Sequence, residues 1–144
     1  MNDTGHWIAL SGINVCEGVF GFIYEILCIP NGRRYIGKKQ CMSKLKRKPL
    51  KGKKRKRIEI IETDWRSYTG SSVELNKDID TYGKDKFTFT ILKVCGSKWE
   101  LAYEEIKEQM LREVLLREEY YNGIVNVRIG TPPRCIIDEY RKRA

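Results

Sequence analysis

The order of hydrophobic and polar residues along the chain predicts three β-strands. The first covers about residues 19–29, where VFGFIYEILCI is rich in aromatic and β-branched residues. Pro-Asn-Gly at positions 30–32 is a turn signal, because Pro presets φ and Asn-Gly tolerates positive φ. The sequence RYIG at positions 34–37 then predicts the returning strand of a hairpin. KFTFTILKVC, at positions 86–95, predicts the third strand.

Two helices are predicted between and after these strands. Ser71 and Ser72 precede VELNKDID, which indicates a helix start with a Ser cap, and Gly83 can provide the C-cap. Residues 97–117 are dense in Glu, Leu and Lys and predict a longer helix. The order β-β-α-β-α predicts an α+β fold, a small and mostly antiparallel three-stranded sheet flanked by helices.

The 144 residues, of which 41% are hydrophobic, fit one domain with a real core. Residues 1–18 show no strong pattern, and we interpret them as an N-terminal extension. Residues 19–130 form the predicted domain, with a basic insertion at 38–57. Residues 131–144 are interpreted as a basic C-terminal tail. The chain shows no internal repeat.

The net charge of +9 is unevenly distributed. Positions 33–57 hold 14 Lys/Arg and no acidic residue, which leaves a net charge of −5 on the remainder. In the densest part, KLKRKPLKGKKRKR at positions 44–57, like-charge repulsion, Pro49 and Gly52 oppose a helix. We predict an exposed, mobile loop that binds the phosphates of a nucleic acid.

Histidine and cysteine usage excludes several classes of site. His6 is the single histidine, so paired-histidine nucleases, His-rich zinc sites and Cys/His zinc fingers are excluded. The five cysteines form no C-x-x-C pair, and their odd number and irregular spacing favour free thiols in a reducing compartment. No signal peptide and no membrane-spanning run is indicated. A cytoplasmic protein without a membrane partner is therefore expected.

The predicted hairpin could carry chemistry. With a two-residue turn at Asn-Gly, Tyr24 pairs with Lys39, and Tyr35 lies on the same face, with Gly37 leaving space beside them. A nearby cation lowers the pKa of a tyrosine from about 10, so two tyrosines and a lysine could activate a water molecule. Aromatic side chains on strands also pack without a chemical role, and the hairpin alone leaves both interpretations open.

These residues also carry a resemblance. FIY at 22–24 and YIG at 35–37 resemble the signature of the GIY-YIG nuclease family, with Phe22 in place of its first glycine. DWRSYTGSS at 64–72, YGKDKFTFTIL, SKWELAYEEIKEQ and YYN at 120–122 follow in order. The ordered set, over about residues 20–130, resembles small phage-type, homing-endonuclease-like members of the family.

The resemblance implies a metal-dependent DNA endonuclease that hydrolyses phosphodiester bonds and leaves a 5′ phosphate. The expected cofactor is Mg²⁺ or another divalent cation such as Mn²⁺. Tyr24 and Tyr35 match the active-site tyrosines, and Asn122 matches an asparagine that supports the site. The phage-type likeness further implies a bacteriophage protein in the host cytoplasm.

A glutamate on the long helix is expected to bind the metal. Glu104 and Glu105 both have apolar neighbours, so periodicity does not separate them. The run YEEIKEQ fits the phage-type pattern best with Glu105 as the metal ligand, and Gln109 lies one turn later as a polar supporter. A lone carboxylate suits Mg²⁺, which keeps several waters and takes phosphate oxygens as ligands.

The cation that contacts the scissile phosphate stays open between Lys39 and Arg66. Ser71 and Ser72 are candidate DNA contacts, although capping the helix is an alternative role. The other predicted DNA contacts are basic side chains in and beside the insertion: Lys38, Lys44, Lys46, Arg47, Lys48, Lys51, Lys53, Lys54, Arg55, Lys56 and Arg57.

Two alternatives remain beside the homing-like endonuclease. One is a structure-specific or restriction-type nuclease, and the other is a catalytically inactive module that only binds nucleic acid. The joint presence of Tyr24, Tyr35, Glu105 and Asn122 argues against the inactive module. Sequence specificity could come from a dimer on DNA, and the oligomeric state is left open.

Overall fold

The computed structural model of the protein describes residues 4–10, 13, 19–125 and 128–143. Its strands are β1 (Ile8–Ala9), β2 (Gly21–Cys28), β3 (Arg34–Gln40), β4 (Met42–Arg47), β5 (Arg57–Glu62) and β6 (Phe87–Cys95). Its helices are α1 (Val73–Tyr82), α2 (Lys98–Leu111) and α3 (Arg134–Arg143), and short 3₁₀ turns cover Trp65–Ser67 and Lys84–Lys86. None of these helices is long and apolar enough to cross a membrane.

The α+β fold is confirmed, but the sheet has more strands than predicted. A four-stranded sheet has the order β1-β6-β2-β3, in which β1 pairs parallel with β6 and the other pairs are antiparallel. The strands β4 and β5 form a separate antiparallel pair. Buried side chains lie on both faces of the main sheet: one cluster includes Leu75 of α1, and the other includes Leu101 of α2. The sheet therefore lies between these two helices.

The register of the β2–β3 hairpin differs from the predicted one by two residues. Tyr24 lies opposite Gly37, and Lys39 lies opposite Phe22. The reason is a longer turn, in which the N–H of Gly32, at φ +72°, donates to the carbonyl of Cys28 at 2.8 Å. Because side chains alternate with a period of two, this shift keeps both hairpin tyrosines on one face.

The caps of α1 agree with the prediction, but the length of α2 does not. The hydroxyl of Ser72 accepts from Leu75 N–H at 3.2 Å, and α1 ends at Gly83, where φ is +94°. The second helix ends at Leu111, earlier than the predicted residue 117. Glu113 has a φ of +54° and turns the chain so that Val114 packs into the core. The predicted basic tail contains a further helix, α3.

The basic segment is exposed, as we predicted, but it is not a loop throughout. Residues 42–62, called the basic arm below, form the β4–β5 hairpin, and Pro49 and Gly52 lie in its turn. Charge repulsion opposes a helix there, but the antiparallel ladder tolerates the charges because Lys44 and Lys46 of β4 face isoleucines of β5. Arg47 faces Arg57, and its Nε lies 2.6 Å from Oε2 of the diagonal neighbour Glu59.

Part of the segment interpreted as an N-terminal extension belongs to the sheet and core. Ile8 and Ala9 pair with Thr90 and Ile91 of β6. Trp7 is 2% exposed, and its indole N–H donates to the carbonyl of Trp65 at 2.5 Å. The folded domain therefore includes residues 7–9.

Truncation of this tryptophan is expected to be costly. Trp7→Ala should lower the free energy of unfolding by about 3–5 kcal/mol, because it removes a buried indole from the core. Urea unfolding followed by circular dichroism measures this loss. Ile8→Ala is the matched control, since Ile8 is 61% exposed, and it should change stability by less than about 0.5 kcal/mol. Equal effects of the two variants would contradict the assignment of Trp7 to the core.

His6 should make the fold sensitive to acid. Its ring stacks on Phe89 at 3.9 Å and its Nε2 lies 2.9 Å from Tyr68 O, while burial and the charge of Lys84 lower its pKa to about 4. The unfolded chain binds a proton near its ordinary pKa of about 6.5, so stability should fall as the pH drops from about 6.5 to about 4. Above that range His6 contributes no pH dependence.

Urea unfolding at about pH 7.5 and about pH 5 tests this expectation. The wild type should lose more stability between the two conditions than His6→Gln, which keeps a hydrogen-bonding side chain and does not titrate. The same loss in both proteins would assign the acid sensitivity to other groups.

Candidate active site

Three tyrosines meet on the face of the sheet that packs against α1. The rings of Tyr24 and Tyr35 are 6.1 Å apart between centroids, and the ring of Tyr68 is 6.2 Å from that of Tyr24. A Cβ on Gly37 would lie 2.5 Å from the Tyr24 hydroxyl and 3.0 Å from Cε1 of Tyr35. Glycine at this position therefore provides the space in which the tyrosine cluster (Tyr24, Tyr35 and Tyr68) packs.

The two hairpin tyrosines differ in their access to solvent. Tyr24 is 1% exposed, whereas Tyr35 is half-buried and its hydroxyl lies 3.1 Å from Ser71 Oγ. The hydroxyl groups of Tyr24 and Tyr35 are hydrogen-bonding neighbours. A substrate outside the domain would thus meet Tyr35, with Tyr24 behind it.

The electrostatics of the pair differ from our expectation of a lowered pKa. Burial raises the pKa of Tyr24 well above its ordinary value and also raises the pKa of Tyr35. The expected cation does not contact them, because the Lys39 ammonium lies 2.8 Å from Asp64 Oδ1 and 4.1 Å above the ring of Tyr68. Both hairpin tyrosines are therefore neutral phenols near pH 7.

A glycine in the loop before α1 closes the cluster. Gly70 has a φ of +84°, and a Cβ there would lie 3.3 Å from the Tyr24 hydroxyl, from Cε1 of Tyr35 and from Leu75. Sequence reasoning missed both Gly70 and Tyr68. The available signal was the segment SYTGSS, which we used only as part of the family resemblance and, through its two serines, as the start of a helix.

The outer edge of β3 is the second component of the site. The Asn122 side chain accepts from the N–H of Ile36 at 3.0 Å and donates to its carbonyl at 2.7 Å. Gln109 donates to the same carbonyl at 3.0 Å. We predicted that Gln109 would support Glu105, and this is wrong because its amide bonds to the strand. Asn122 and Gln109 together fix the middle of β3.

Glu105, on α2, contacts this edge of β3 at Lys38, two residues beyond Ile36. Its carboxylate accepts from the backbone N–H of Lys38, whose ammonium is 3.8 Å away. The side chain is 14% exposed, and burial raises its pKa. Its charge also contributes to the raised pKa of Tyr24 and Tyr35, so the carboxylate and the two phenols are electrostatic neighbours.

Glu104 serves the opposite side of the helix. Its carboxylate lies 2.8 Å from Lys93 Nζ and accepts from the Tyr140 hydroxyl at 2.5 Å. This carboxylate joins α2 to β6 and α3, whereas the Glu105 carboxylate contacts β3 at Lys38. The three-dimensional packing thus separates two neighbours that periodicity does not.

The two candidate cations also differ in position. Lys39 lies at the tyrosine cluster through its contact with Tyr68. Arg66 forms an ion pair with Glu62 at the base of the basic arm and stacks over Trp65, with 4.5 Å between guanidinium and ring centre. Of the two, Lys39 is the one that the structure brings to the tyrosines.

The predicted DNA contacts divide into two groups. Lys38 and Ser71 adjoin the site, through Glu105 and Tyr35 respectively, while Ser72 caps α1. The remaining basic residues lie on the basic arm: Lys44, Lys46, Arg47, Lys48, Lys51, Lys53, Lys54, Arg55, Lys56 and Arg57.

The donor set at the site is sparse for a metal. Within the part of the chain that the structure describes, no three His, Cys, Asp or Glu residues lie close enough together to hold an ion. Glu105 is a desolvated carboxylate that accepts from the backbone N–H of Lys38, and the ammonium of Lys38 is 3.8 Å away. This arrangement fits Mg²⁺, which needs one or two protein carboxylates and completes its shell with water and phosphate oxygens.

Comparison with known proteins gives one match. Residues 8–125 match the family model described as "Putative endonuclease segE, GIY-YIG domain". The matched range includes the tyrosine cluster, Glu105, Asn122 and the whole basic arm. No match was found among curated proteins or among solved structures.

Proposed function

Because the chain belongs to the GIY-YIG nuclease family, we propose that it is a metal-dependent endonuclease that hydrolyses phosphodiester bonds in DNA. One observation supports this proposal above others. The edge of β3 brings a desolvated carboxylate, Glu105, into the electrostatic neighbourhood of Tyr24 and Tyr35. A carboxylate without a close cation, next to hydroxyls that can hold water, is a suitable arrangement for metal-assisted hydrolysis.

Glu105 would hold Mg²⁺, or another divalent cation such as Mn²⁺, together with waters and phosphate oxygens. When bound, the ion supplies positive charge that stabilises the charge developing on the phosphate. The Lys38 ammonium is only loosely paired with Glu105, so it can turn to a DNA phosphate as the ion binds.

Tyr35 is the residue that we place against the attacking water. Its hydroxyl is held by Tyr24 from behind and by Ser71 at the side, which sets the direction of its remaining hydrogen bond. As neutral phenols, the two tyrosines orient the water and do not act as a standing base. Lys39 would offset charge on the scissile phosphate, and Asn122 would keep the edge of β3 in place.

The proposed enzyme has homing-endonuclease-like chemistry and makes a nick or a double-strand cut that leaves a 5′ phosphate.

The experiment that tests this function is a cleavage assay. The pure protein is incubated with supercoiled, linear and branched DNA, with Mg²⁺, with Mn²⁺ and in EDTA, and the ends of the products are sequenced. We expect cleavage only with a metal. Preference for branched DNA would indicate a structure-specific enzyme. Binding without cleavage under every condition would indicate an inactive module, and cleavage in EDTA would contradict the metal requirement.

A further inference from the structure

The basic arm is more than a source of positive charge. We propose that it is a two-stranded ribbon that enters the major groove of duplex DNA beside the scissile phosphate. This inference rests on the proposed function, because it takes DNA as the substrate. The substrate would be duplex DNA, and side chains of the arm would contact base edges in its major groove.

The arm projects from the domain. Its strands β4 and β5 pair with each other and with no other strand in the described part of the chain. Every residue from Lys44 to Ile60 is exposed. An isolated two-stranded hairpin is only marginally stable in water, so a partner that packs against it would also stabilise it.

The base of the arm is fixed to the tyrosine cluster. Thr63 donates to the carbonyl of Gln40 at 2.6 Å through its hydroxyl and to that of Cys41 at 2.9 Å through its N–H. The next residue, Asp64, pairs with Lys39, which lies over Tyr68. The arm therefore starts at the site, and a DNA duplex that contacts Tyr35 also passes the arm.

The two faces of the ribbon differ in character. Lys44 lies opposite Ile60, and Lys46 lies opposite Ile58. The two isoleucines are 63% and 64% exposed, and we call these four residues the isoleucine face. On the other face, Arg47 is paired with Glu59. Among the described residues of the arm, only the isoleucine face combines lysines outside any ion pair with exposed apolar side chains. At the base of the arm, Lys44 and Ile60 border a cavity that Phe20 also lines, while Lys46 and Ile58 lie beyond it.

The combination of positive charge and exposed apolar side chains on the arm indicates which partner it binds. Residues 42–62 contain ten Lys/Arg and two Glu, and the turn is the most basic part. A duplex major groove presents phosphates along both walls and thymine methyl groups on its floor, and it is about 12 Å wide, which admits a two-stranded ribbon. The major groove of A-form RNA is too narrow for side chains to read, so the ribbon favours DNA.

The dimensions set the position of the contacts. Each strand has six paired residues, which span about 17 Å at about 3.4 Å per residue. Since one DNA strand also advances about 3.4 Å per base, the ribbon covers about five base pairs on one side of the cut.

Methylation interference with dimethyl sulfate tests the groove, because this reagent marks guanine N7 in the major groove and adenine N3 in the minor groove. The full-length protein is bound in EDTA to methylated duplexes that carry its binding site, mapped by footprinting in EDTA, and its cleavage site where one is found. We expect guanine N7 methylation to reduce binding over about five base pairs on one side of the cut. Interference only at adenine N3, or none on that side, would overturn the proposal.

Two double variants separate the face from the charge. Ile58→Ser with Ile60→Ser should lose the guanine N7 interference and keep the salt dependence of binding. Lys53→Gln with Lys54→Gln should keep the interference and reduce the slope of log K against log salt by about 2. Leu45→Ser, on the opposite face, should match the wild type. Unchanged interference in the isoleucine variant would overturn the role of that face.

Competitors test the class of partner. Duplex RNA of the same sequence should compete at least tenfold more weakly than DNA, and equal competition would overturn the major-groove assignment. Because binding is measured in EDTA, cleavage without interference would reject the arm's placement and leave the endonuclease intact. Interference without cleavage in Mg²⁺ or Mn²⁺ would support the arm and reject the endonuclease.

Discussion

Glu105→Gln is expected to lower DNA cleavage at least about a thousandfold, while binding in EDTA stays within about twofold of the wild type. The substitution keeps the size of the side chain and removes the negative charge that would hold the metal. Because burial already disfavours the charged carboxylate, the variant should be at least as stable as the wild type. Single-turnover cleavage of end-labelled DNA, combined with an equilibrium binding assay, measures the two effects.

Glu104→Gln is the matched control, one residue away on the same helix. It should retain cleavage within about threefold. It should lose about 1–2 kcal/mol of stability, because the Glu104 carboxylate that it replaces pairs with Lys93 and accepts a hydrogen bond from Tyr140. The Glu105 variant is thus expected to lose cleavage and keep its stability, whereas the Glu104 variant is expected to keep cleavage and lose stability. Strong cutting by Glu105→Gln together with an inactive but folded Glu104→Gln would transfer the metal role to Glu104.

Gly37→Ala is expected to impair both stability and cleavage. The added methyl group would lie 2.5 Å from the Tyr24 hydroxyl and 3.0 Å from Cε1 of Tyr35, and the Tyr24 ring is fully buried, so it has no solvent-filled space to move into. Overpacking of this kind costs about 1–3 kcal/mol, and displacement of a positioning group by about 1 Å can lower the rate about a hundredfold. Urea unfolding and single-turnover kinetics measure the two losses.

Gly96→Ala serves as the control for Gly37→Ala, because a Cβ at Gly96 meets no atom within 4 Å. The double variant Gly37→Ala/Tyr24→Phe removes the hydroxyl nearest to the added methyl and should regain part of the stability. It should stay slow if the Tyr24 hydroxyl positions Tyr35. Full activity of Gly37→Ala would show that the packing of the tyrosine cluster does not control the reaction.

Local signals predicted the parts of the fold that depend on neighbours in the chain. The caps of α1 at Ser72 and Gly83 follow from the preferences of single residues, and β2 and β6 follow from their aromatic and β-branched runs. The hairpin register was shifted because the length of a turn is not contained in the alternation of the strands. Trp7 was missed because its hydrogen-bond partner, Trp65, lies 58 residues away.

The basic arm shows a different obstacle. Charge dominated its composition, and the apolar residues of β5 gave only a short run, so the pairing of Lys44 with Ile60 was not visible. At the site, the two hairpin tyrosines could be placed together from the period of a strand. The choice between Glu104 and Glu105 depends on how α2 is rotated against the edge of β3, and this rotation is set by long-range packing.

The edge of β3 links the site to the behaviour of the protein in concentrated solution. An exposed edge strand is a template for pairing between molecules. Here Arg34 is satisfied by the backbone of Glu119 and Tyr121, and Ile36 by Asn122 and Gln109. The side chains that arrange the site thus also block intermolecular β-pairing. A variant of Asn122 that loses activity must therefore be examined for aggregation before the loss is attributed to chemistry.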